Sequence, residues 1–232
     1  MPDTIVSGRS TCMDIVDDVP EVLRRKRTQL VLKRCFDVII SLTGLLILSP
    51  LFLVVAIAIM SDSRGPVIFR QTRVGRYGKH FRILKFRTMN EDSEKHGMQI
   101  TVGDDSRITR VGGFLRRTKM DELPQLINIL RGEMSFVGPR PEVPAYVELY
   151  TEEQRQVLMV RPGLTDPASI KYRHESCLLA GSDDPEETYV REIMPSKLEL
   201  SLQYIVGISL LNDIHCILTT TALVLTRPSK HM

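Results

Sequence analysis

The sequence predicts an α+β fold, with a mainly helical domain on the cytoplasmic face of a membrane, a small β-hairpin, and an anchoring re-entrant membrane helix broken at Ser49-Pro50. Three observations predict it: a long apolar segment near the N-terminus, two short β-prone runs among glycines, and helical spacing of apolar residues in much of the remaining chain. The 232 residues then divide into a flexible tail (1–30), the membrane helix (31–62) and a folded domain (63–226).

The N-terminal tail is polar and acidic. Residues 1–21 contain five Asp and Glu residues and no apolar core of the kind that a signal peptide requires. A segment of this composition buries little apolar surface, so we expect it to be flexible.

The apolar segment from Cys35 to Met60 has 26 residues, and Asp37 is its only charge. About 20 such residues suffice to cross a bilayer. Lys and Arg residues lie on both sides of the segment, and this favours the cytoplasm for both ends. Pro50 lacks an N–H near the middle of the run, and Ser49 is placed to satisfy a carbonyl that this frees. The charge bias therefore favours a helix that bends and returns to the same face, and a kinked spanning helix is the alternative.

A basic hairpin is predicted after the membrane segment. Residues 61–90 carry eight Lys and Arg residues against Asp62 alone, which indicates an anionic surface or ligand nearby. Turn signals and β-prone runs alternate here, in the order Gly65-Pro66, Val67–Phe69, Gly75, Gly78 and Phe81–Phe86. The polar residues 91–106 that follow are expected to form a loop.

A helix is predicted over the stretch "DELPQLINIL", because four apolar residues share one helical face. They are Leu123, Leu126, Ile127 and Leu130. Pro124 suits a first helical turn and Gly132 can end the helix. Asp121 and Glu122 precede this face, where carboxylates ordinarily stabilise a helix N-terminus, so the pair taken alone favours capping over chemistry.

The stretch "GPRP" holds Arg140 between two prolines that favour an extended backbone. A guanidinium held in this way can bind phosphate through two parallel hydrogen bonds, and a rigid turn with a solvated arginine is the alternative. Helices are expected over residues 142–159 and from near Pro195 to about Val206. The apolar segment Ile214–Leu225 is short for a membrane span, so it belongs to the core or, as we favour, to the membrane interface.

Two classes of site are excluded by spacing. The four cysteines are scattered, with no CxxC pair and no His at ligand spacing, which argues against a disulfide framework and a zinc site. Gly75, Gly78 and Lys79 lack the spacing of a Walker phosphate loop, which argues against a nucleoside triphosphatase.

Several motifs together resemble the monotopic phosphoglycosyl transferases, the bacterial sugar transferase family. They are "KRCFDVIISLTGLLILSP", "FRQTRVG", "KFRTM", "LRRTKMDELPQLINILRGEMSFVGPRPE" and "RPGLT". The resemblance covers almost everything from about Lys33 to Leu225. It implies a catalytic sugar transferase domain with interfacial helices at residues 63–226, and a re-entrant helix broken at the Ser-Pro pair.

The resemblance implies transfer of a phosphosugar from a nucleoside diphosphate sugar, usually a UDP-sugar, to undecaprenyl phosphate, with release of UMP. Such a reaction is the first membrane step of glycan assembly pathways. It implies a monotopic protein of the bacterial inner membrane, with its active site on the cytoplasmic face and in contact with membrane lipids. No nucleic acid is expected as a partner, and the sequence leaves a monomer and a homodimer open.

The resemblance also implies roles for individual residues. Asp121 would be the nucleophile that forms a covalent phosphosugar intermediate, and Glu122 would help to hold Mg²⁺. Two adjacent carboxylates repel each other unless a cation is near, which agrees with a metal. Arg116 and Arg140 would contact or order the phosphates and Arg173 would lie near the nucleotide. Lys85 and Arg87 would line the site or meet lipid headgroups.

The chain departs from the family pattern after "RPGLT". Many members continue with Gly-Trp, whereas this chain has Asp166-Pro167-Ala168-Ser169 and no Trp, so the sugar is not assigned. Two rival interpretations remain: a membrane-tethered protein that binds anionic lipid or RNA, and a catalytically silent scaffold. The binding protein leaves Asp121, Glu122 and Arg140 without a task, and the scaffold predicts that Asp121→Asn leaves function intact.

Overall fold

The computed structural model describes residues 19–90 and 107–226. Its helices are α1 (Val19–Arg25), α2 (Arg27–Asp62), α3 (Arg110–Arg117), α4 (Gln125–Arg131), α5 (Pro144–Glu148), α6 (Glu152–Arg155), α7 (Pro167–Lys171), α8 (Glu175–Ala180), α9 (Pro185–Thr188), α10 (Met194–Val206) and α11 (Leu210–Leu225). Its strands are β1 (Ile68–Val74), β2 (His80–Phe86), β3 (Ser135–Val137) and β4 (Gly163–Thr165). The predicted α+β class, with many helices and a small hairpin, is confirmed. The loop expected at 91–106 lies outside the described residues.

The hairpin β1–β2 lies where the glycine signals place it. The strands are antiparallel, with Ile68 opposite Phe86 and Val74 opposite His80. The connection contains two left-handed residues, Tyr77 (φ 58°) and Gly78 (φ 73°). The hairpin's inner face packs on α4, so the strand that carries Lys85 lies beside the chain that carries Asp121 and Glu122.

A second pair of strands, β3 and β4, is parallel and was not predicted. Ser135 pairs with Gly163 and Val137 pairs with Thr165. The pairing continues past β3, because Gly138 N–H donates to the Thr165 carbonyl at 3.0 Å and Gly163 N–H donates to the Pro139 carbonyl at 2.9 Å. A Cβ on Gly138 or Gly163 would overlap the opposing backbone, so only glycine allows this approach. The contact fixes the segment that leads to Arg140.

The 36-residue helix α2 packs on the domain along one stripe and exposes the opposite face. Its buried residues are Lys33, Asp37, Ser41, Val55 and Ile59. The exposed face is apolar and includes Ile39, Leu46, Ile47, Leu53 and Val54. Within the described residues it is the one helix long and apolar enough to cross a membrane, and only 11% of its most apolar window is buried. The predicted membrane-associated helix is therefore present.

Helix α2 continues through Pro50, and the predicted break at Ser49-Pro50 is not confirmed. Pro50 has no N–H to donate to the Leu46 carbonyl four residues earlier. The Ser49 hydroxyl donates to that carbonyl at 2.8 Å, as the sequence suggested. The hydroxyl thus supplies the hydrogen bond that the proline removes. The re-entrant course of the helix stays a prediction.

Two boundaries differ from the sequence-based expectation. The predicted tail, residues 1–30, is helical from Val19 onward, and Val19 is fully buried, so the described part of this segment is packed and the remainder lies outside the described residues. The single helix expected over 142–159 is divided into α5, α6 and a 3₁₀ turn. Helix α10 confirms the prediction near Pro195.

The last helix, α11, is longer than the predicted segment, because Ser209 caps it and it begins at Leu210. Asp213 and Cys216 face the domain and are buried. Leu211, Leu218 and Leu225 lie on other faces and are 80%, 63% and 77% exposed. The segment therefore has both a core face and a wide exposed apolar face, which is the pattern of a helix at an interface.

Candidate active site

Asp121 and Glu122 lie in a 3₁₀ turn, Met120–Glu122, between α3 and α4. Lys119, just before them, adopts a left-handed backbone (φ 56°), an unusual conformation for a residue with a side chain. Helix α4 begins only at Gln125, and neither carboxylate caps it. The capping interpretation of the pair therefore does not hold for α4. The predicted end of the helix at Gly132 is confirmed, with φ 83°.

Two cations converge on one oxygen of Glu122. Arg140 Nη2 lies 2.7 Å and Lys85 Nζ lies 3.0 Å from Glu122 Oε1. Lys85 comes from β2 and Arg140 from the segment after β3, so three candidates from distant parts of the sequence meet here. Burial alone would raise the pKa of Glu122, but Arg140 and Lys85 outweigh it and hold the pKa well below its usual range. Glu122 is thus a buried, ionised carboxylate.

Asp121 is in the opposite electrostatic situation. It is 7% exposed, and its Oδ1 has no hydrogen-bond partner among the described residues. Burial raises the pKa of Asp121, and the neighbouring charge of Glu122 raises it further, against the opposing effects of Lys85, Lys119 and Arg116. A buried carboxylate oxygen without a protein partner is costly, which suggests that something else binds it.

Arg116 is close enough to Asp121 to lower its pKa, and its Nε donates to Thr88 Oγ1 at 2.9 Å. Thr88 follows β2, so the hairpin holds this arginine as well as Lys85. The predicted site residues Asp121, Glu122, Lys85, Arg116 and Arg140 therefore form one cluster.

Arg87 does not join this cluster. It is 6% exposed, and its guanidinium donates to the carbonyl oxygens of Pro66 and Ser63 at 2.8 and 2.7 Å. These bonds tie the hairpin to the C-terminal end of α2, so the structure gives Arg87 a structural role there. Arg173 is exposed on the turn after α7, where its Nε donates to His174. Its proximity to a nucleotide stays a prediction.

Two buried amides on α4 were missed by sequence reasoning. Asn128 is fully buried and connects α4 to β2, because it accepts from Leu84 N–H at 3.0 Å and donates to the Arg82 carbonyl at 2.8 Å. Gln125 is 1% exposed, and its Nε2 has no partner among the described residues. Gln125 lies four residues after Asp121. A polar residue in a short helix has no pattern that marks it, so spacing alone could not identify either amide.

The unusual stretch Asp166–Ser169 forms the start of α7. Asp166 Oδ1 accepts from Ser169 N–H at 2.7 Å, which is a helix N-cap, and Pro167 occupies the first turn. The other oxygen, Oδ2, accepts from the Ser201 hydroxyl at 3.2 Å. Asp166 also raises the pKa of Arg140, although less than Glu122 does. The departure from the family pattern therefore forms a local helix cap, and its Asp166 carboxylate is near enough to Arg140 to affect the pKa of that guanidinium.

The carboxylates fit Mg²⁺ only in combination with a substrate. Within the described residues there is no group of three Asp, Glu, His or Cys side chains placed to hold a metal. Mg²⁺ in phosphoryl-transfer sites commonly uses one or two carboxylates, with waters and substrate phosphates as its other ligands. The unpartnered Oδ1 of Asp121 fits that pattern. Lys85 and Arg140 already balance the charge of Glu122, so adjacent carboxylates do not by themselves require a metal.

Comparisons with known proteins identify the family to which the chain belongs. Residues 28–227 match the model of the family described as "Bacterial sugar transferase". The chain is 36% identical over 198 residues to a UDP-N-acetylgalactosamine-undecaprenyl-phosphate N-acetylgalactosaminephosphotransferase of Aeromonas hydrophila. The aligned region covers 84% of this chain and 44% of that relative. It is 39% identical over 193 residues to a UDP-glucose:undecaprenyl-phosphate glucose-1-phosphate transferase of Escherichia coli strain K12. Here the aligned region covers 82% of this chain and 39% of the relative.

A shorter relative matches along nearly its whole length. The chain is 41% identical over 206 residues to the exopolysaccharide production protein PSS of Rhizobium leguminosarum bv. phaseoli, which covers 85% of this chain and 97% of the relative. The chain therefore spans less than half of the Aeromonas and Escherichia relatives and almost all of the Rhizobium one.

Proposed function

Because the chain belongs to the bacterial sugar transferase family, we propose that it transfers a phosphosugar from a UDP-sugar to undecaprenyl phosphate and releases UMP. The names of the Aeromonas and Escherichia relatives support the acceptor and the type of reaction. The observation that carries the proposal is the buried Asp121 carboxylate, whose Oδ1 has no protein partner beside a Glu122 held by two cations.

Asp121 is the nucleophile in this proposal. Its carboxylate oxygen attacks the β-phosphorus of the donor, the bond to the UMP oxygen breaks, and the phosphosugar remains on Asp121 as an acyl phosphate. The phosphate oxygen of undecaprenyl phosphate then attacks the same phosphorus and releases the Asp121 carboxylate. The product is an undecaprenyl diphosphate sugar, and all atoms of both substrates are accounted for.

The surrounding cations stabilise charge rather than react. Phosphoryl transfer depends mainly on positioning and on neutralising the phosphate oxygens. Arg116, on the adjoining helix, is close enough to Asp121 to lower its pKa, and in this proposal it contacts the donor's phosphates. Lys85 and Arg140 hold Glu122 in place, and the 33% exposed side chain of Arg140 can also reach a ligand.

Mg²⁺ is proposed as the cofactor, and Glu122 would help to hold it together with the donor's phosphates. When bound, it would neutralise negative charge on the phosphate oxygens.

We also propose that α2 is re-entrant, which makes the protein monotopic on the inner membrane. Both ends of α2 are bound to the same domain. At its start, Lys26 Nζ donates to the Val206 and Ile208 carbonyls at 2.8 and 2.9 Å. At its end, Asp62 Oδ2 accepts from Val111 N–H at 2.9 Å. A helix whose ends lay on opposite faces of a bilayer about 30 Å thick would separate these contacts.

The test is UMP release by the purified protein with undecaprenyl phosphate, Mg²⁺ and a panel of UDP-sugars. We expect release with at least one sugar, and no release from Asp121→Asn, because an amide forms no acyl phosphate. Asp183→Asn makes the same chemical change at an exposed position and should leave the rate unchanged. Incubation with the donor alone should add the mass of one phosphosugar to the wild-type chain. Full activity of folded Asp121→Asn would refute the mechanism, and inactivity of the folded wild type across the panel would favour a scaffold.

A further inference from the structure

A second cluster of cations surrounds a cavity of about 50 Å³, and one of them, Arg34, binds the C-terminal end of α4. The cavity lies between the first turns of α2 and the domain. Its charged lining residues are Lys33, Arg34, Asp37, Arg76 and Arg161. About 10–15 Å³ suffices for one water, so the cavity has room for a group with several oxygen atoms.

The charges of this cavity do not balance. Lys33 Nζ lies 2.6 Å from Asp213 Oδ2 and is neutralised by it. Three guanidinium groups, those of Arg34, Arg76 and Arg161, then share the cavity with the single carboxylate of Asp37. The three arginines line the same cavity and are close to one another. Burial lowers the pKa of Arg161, and the charges of Arg34 and Arg76 lower it further. An uncompensated positive cavity of this kind favours an anion.

The arginines are oriented by their own backbone contacts. Arg76 donates through Nε to the Met159 carbonyl, and Arg161 donates through Nε to the Gly132 carbonyl, each at 2.9 Å. Within residues 19–90 and 107–226, the terminal nitrogens of both side chains make no further hydrogen bond. Arg34 is held by the carbonyls of Ile129 and Leu130 at the C-terminal end of α4. Fixed guanidinium groups with unused N–H donors suit a phosphate.

A buried hydroxyl also lies in the lining. Ser135, at the start of β3, is 1% exposed and lies beside Asp37, the carboxylate of the cavity. Exposed apolar side chains neighbour the lining residues in sequence: Val31 and Leu32 precede Lys33, and Tyr77 follows Arg76, with exposures of 56%, 54% and 63%. The Arg76 guanidinium lies 4.4 Å from the centre of the Tyr77 ring. Tyrosines and cations in this combination are typical of the headgroup level of a membrane.

We propose that this cavity binds the phosphate group of a membrane lipid, at a site separate from Asp121. Arg34 binds the last turn of α4, whereas Asp121 precedes its first turn, so the length of α4 separates the two sites. A phosphate bound by Arg34, Arg76 and Arg161 would connect α2, the hairpin connection and the chain before β4. The lipid would thereby hold the domain at a fixed depth in the interface.

The test is lipid binding by the full-length protein in detergent, measured by native mass spectrometry. The probes are phosphatidylglycerol and, as a matched lipid without phosphate, diacylglycerol. We expect one tightly held phosphatidylglycerol per chain and no comparable binding of diacylglycerol. Arg76→Gln and Arg161→Gln should each weaken binding by about tenfold or more, as expected for the loss of a charged hydrogen bond. Arg191→Gln removes the same charge from an exposed surface pair and should bind as the wild type does.

A conservative variant and a competing lipid complete the test. Arg161→Lys keeps the positive charge but lacks the planar guanidinium group with its paired N–H donors, so it should fold as the wild type does and bind phosphatidylglycerol with intermediate affinity. Undecaprenyl phosphate that displaces phosphatidylglycerol would identify the acceptor as the source of the phosphate, and failure to displace it would identify a phospholipid. Asp121→Asn should bind lipid normally while losing UMP release, which separates this proposal from the proposed reaction. Unchanged binding in folded Arg76→Gln and Arg161→Gln, or equal binding of diacylglycerol, would overturn it.

Discussion

Asp121 and Glu122 are neighbours in the chain, yet their surroundings shift their pKa values in opposite directions. Burial and the charge of Glu122 raise the pKa of Asp121. Arg140 and Lys85 overcome the effect of burial at Glu122 and lower its pKa. Paired carboxylates with opposed environments are a common way to give adjacent groups different tasks. Here Glu122 is ionised at neutral pH and bound by Arg140 and Lys85, and Asp121 keeps an oxygen for another partner.

The ion pairs of Glu122 with Arg140 and Lys85 predict that the free energy of unfolding depends on pH. Glu122 has a lowered pKa in the folded state, so its contribution is fully present above the unfolded pKa of about 4.3 and is lost as the pH falls through the folded value. Arg140→Gln removes one of the two cations, and we expect it to lower stability by about 2 kcal/mol at pH 7, the typical value of a charged hydrogen bond. This loss should shrink as the pH falls below about 4.

Thermal unfolding in detergent micelles at pH 7 and at acidic pH measures this difference. Arg191→Gln serves as the control, because it removes an exposed arginine whose pair with Glu187 contributes little. An equal deficit for Arg140→Gln at both pH values would show that the arginine stabilises the fold without acting through Glu122.

Gln125 gives a second prediction at this scale. Its Nε2 is buried without a protein partner, which costs about 1–3 kcal/mol unless a ligand accepts the hydrogen bond. Gln125→Met keeps the length of the side chain and removes the amide, so we expect equal or higher stability. If the amide donates to the substrate, kcat/KM should fall by about tenfold or more.

Asn128 on the same helix provides the contrast, because its amide is fully hydrogen-bonded to β2 and to Glu133. Asn128→Leu should be destabilised, since it leaves the Leu84 N–H and the Arg82 carbonyl unpaired. Melting temperatures and steady-state rates of Gln125→Met and Asn128→Leu distinguish an amide that binds substrate from an amide that stabilises the fold. A destabilised Gln125→Met with normal kcat/KM would assign Gln125 to the core instead.

At the scale of elements, α2 shows how a helix tolerates an internal proline. Pro50 removes the hydrogen bond to the Leu46 carbonyl, and the Ser49 hydroxyl replaces it at 2.8 Å. In the hydrocarbon region no water is available for such a carbonyl, so the replacement matters more than it would in a soluble helix.

A double-mutant cycle tests this compensation. Ser49→Ala should lower stability by about 1 kcal/mol in the natural sequence, because it leaves the Leu46 carbonyl without a donor. In a Pro50→Ala background, the N–H of residue 50 binds that carbonyl, and Ser49→Ala should then be nearly neutral. Thermal unfolding of the four proteins in one detergent gives the coupling energy. The same cost in both backgrounds would mean that the serine does not act for the proline.

At the scale of the whole molecule, local patterns predicted what depends on local chemistry. The glycines around the hairpin, the end of α4 at Gly132 and the position of α10 follow from turn and helix signals close to them in sequence. The parallel pair β3–β4 could not be predicted from such signals. Each strand has only three residues, and the paired residues Ser135 and Gly163 are 28 positions apart in the sequence. The helix Val19–Arg25 was not predicted either, and its first residue, Val19, is fully buried in the core.

The candidate site was likewise predictable in part. Residue types and the family resemblance were enough to propose its members, which are Asp121, Glu122, Lys85, Arg116 and Arg140. That Lys85 and Arg140 meet on one oxygen of Glu122 required the folded chain, since the hairpin and the β3–β4 contact bring them together. Arg87 is a basic residue directly after β2, two positions beyond Lys85, and its partners at Pro66 and Ser63 could be identified only from tertiary contacts.

The contacts at both ends of α2 lead to a prediction about the topology of the molecule. Lys26 and Asp62 lie at opposite ends of α2, and each binds the same domain. A spanning course would place one end, with its part of the domain, on the far side of the bilayer. A re-entrant course leaves both ends at one surface and immerses the exposed apolar residues between them.

Single cysteines in a background without Cys12, Cys35, Cys177 and Cys216 test this in oriented inner-membrane vesicles. Gln29→Cys and Arg64→Cys report the two ends of α2, Arg155→Cys reports the domain, and Leu46→Cys reports the exposed apolar face; all four positions are exposed. We expect a membrane-impermeant reagent to label the first three from the same face and to leave Leu46→Cys protected, because its side chain lies in lipid. Labelling of Gln29→Cys and Arg64→Cys from opposite faces would establish a spanning helix. It would also require the Lys26 or the Asp62 contact to be absent in the membrane.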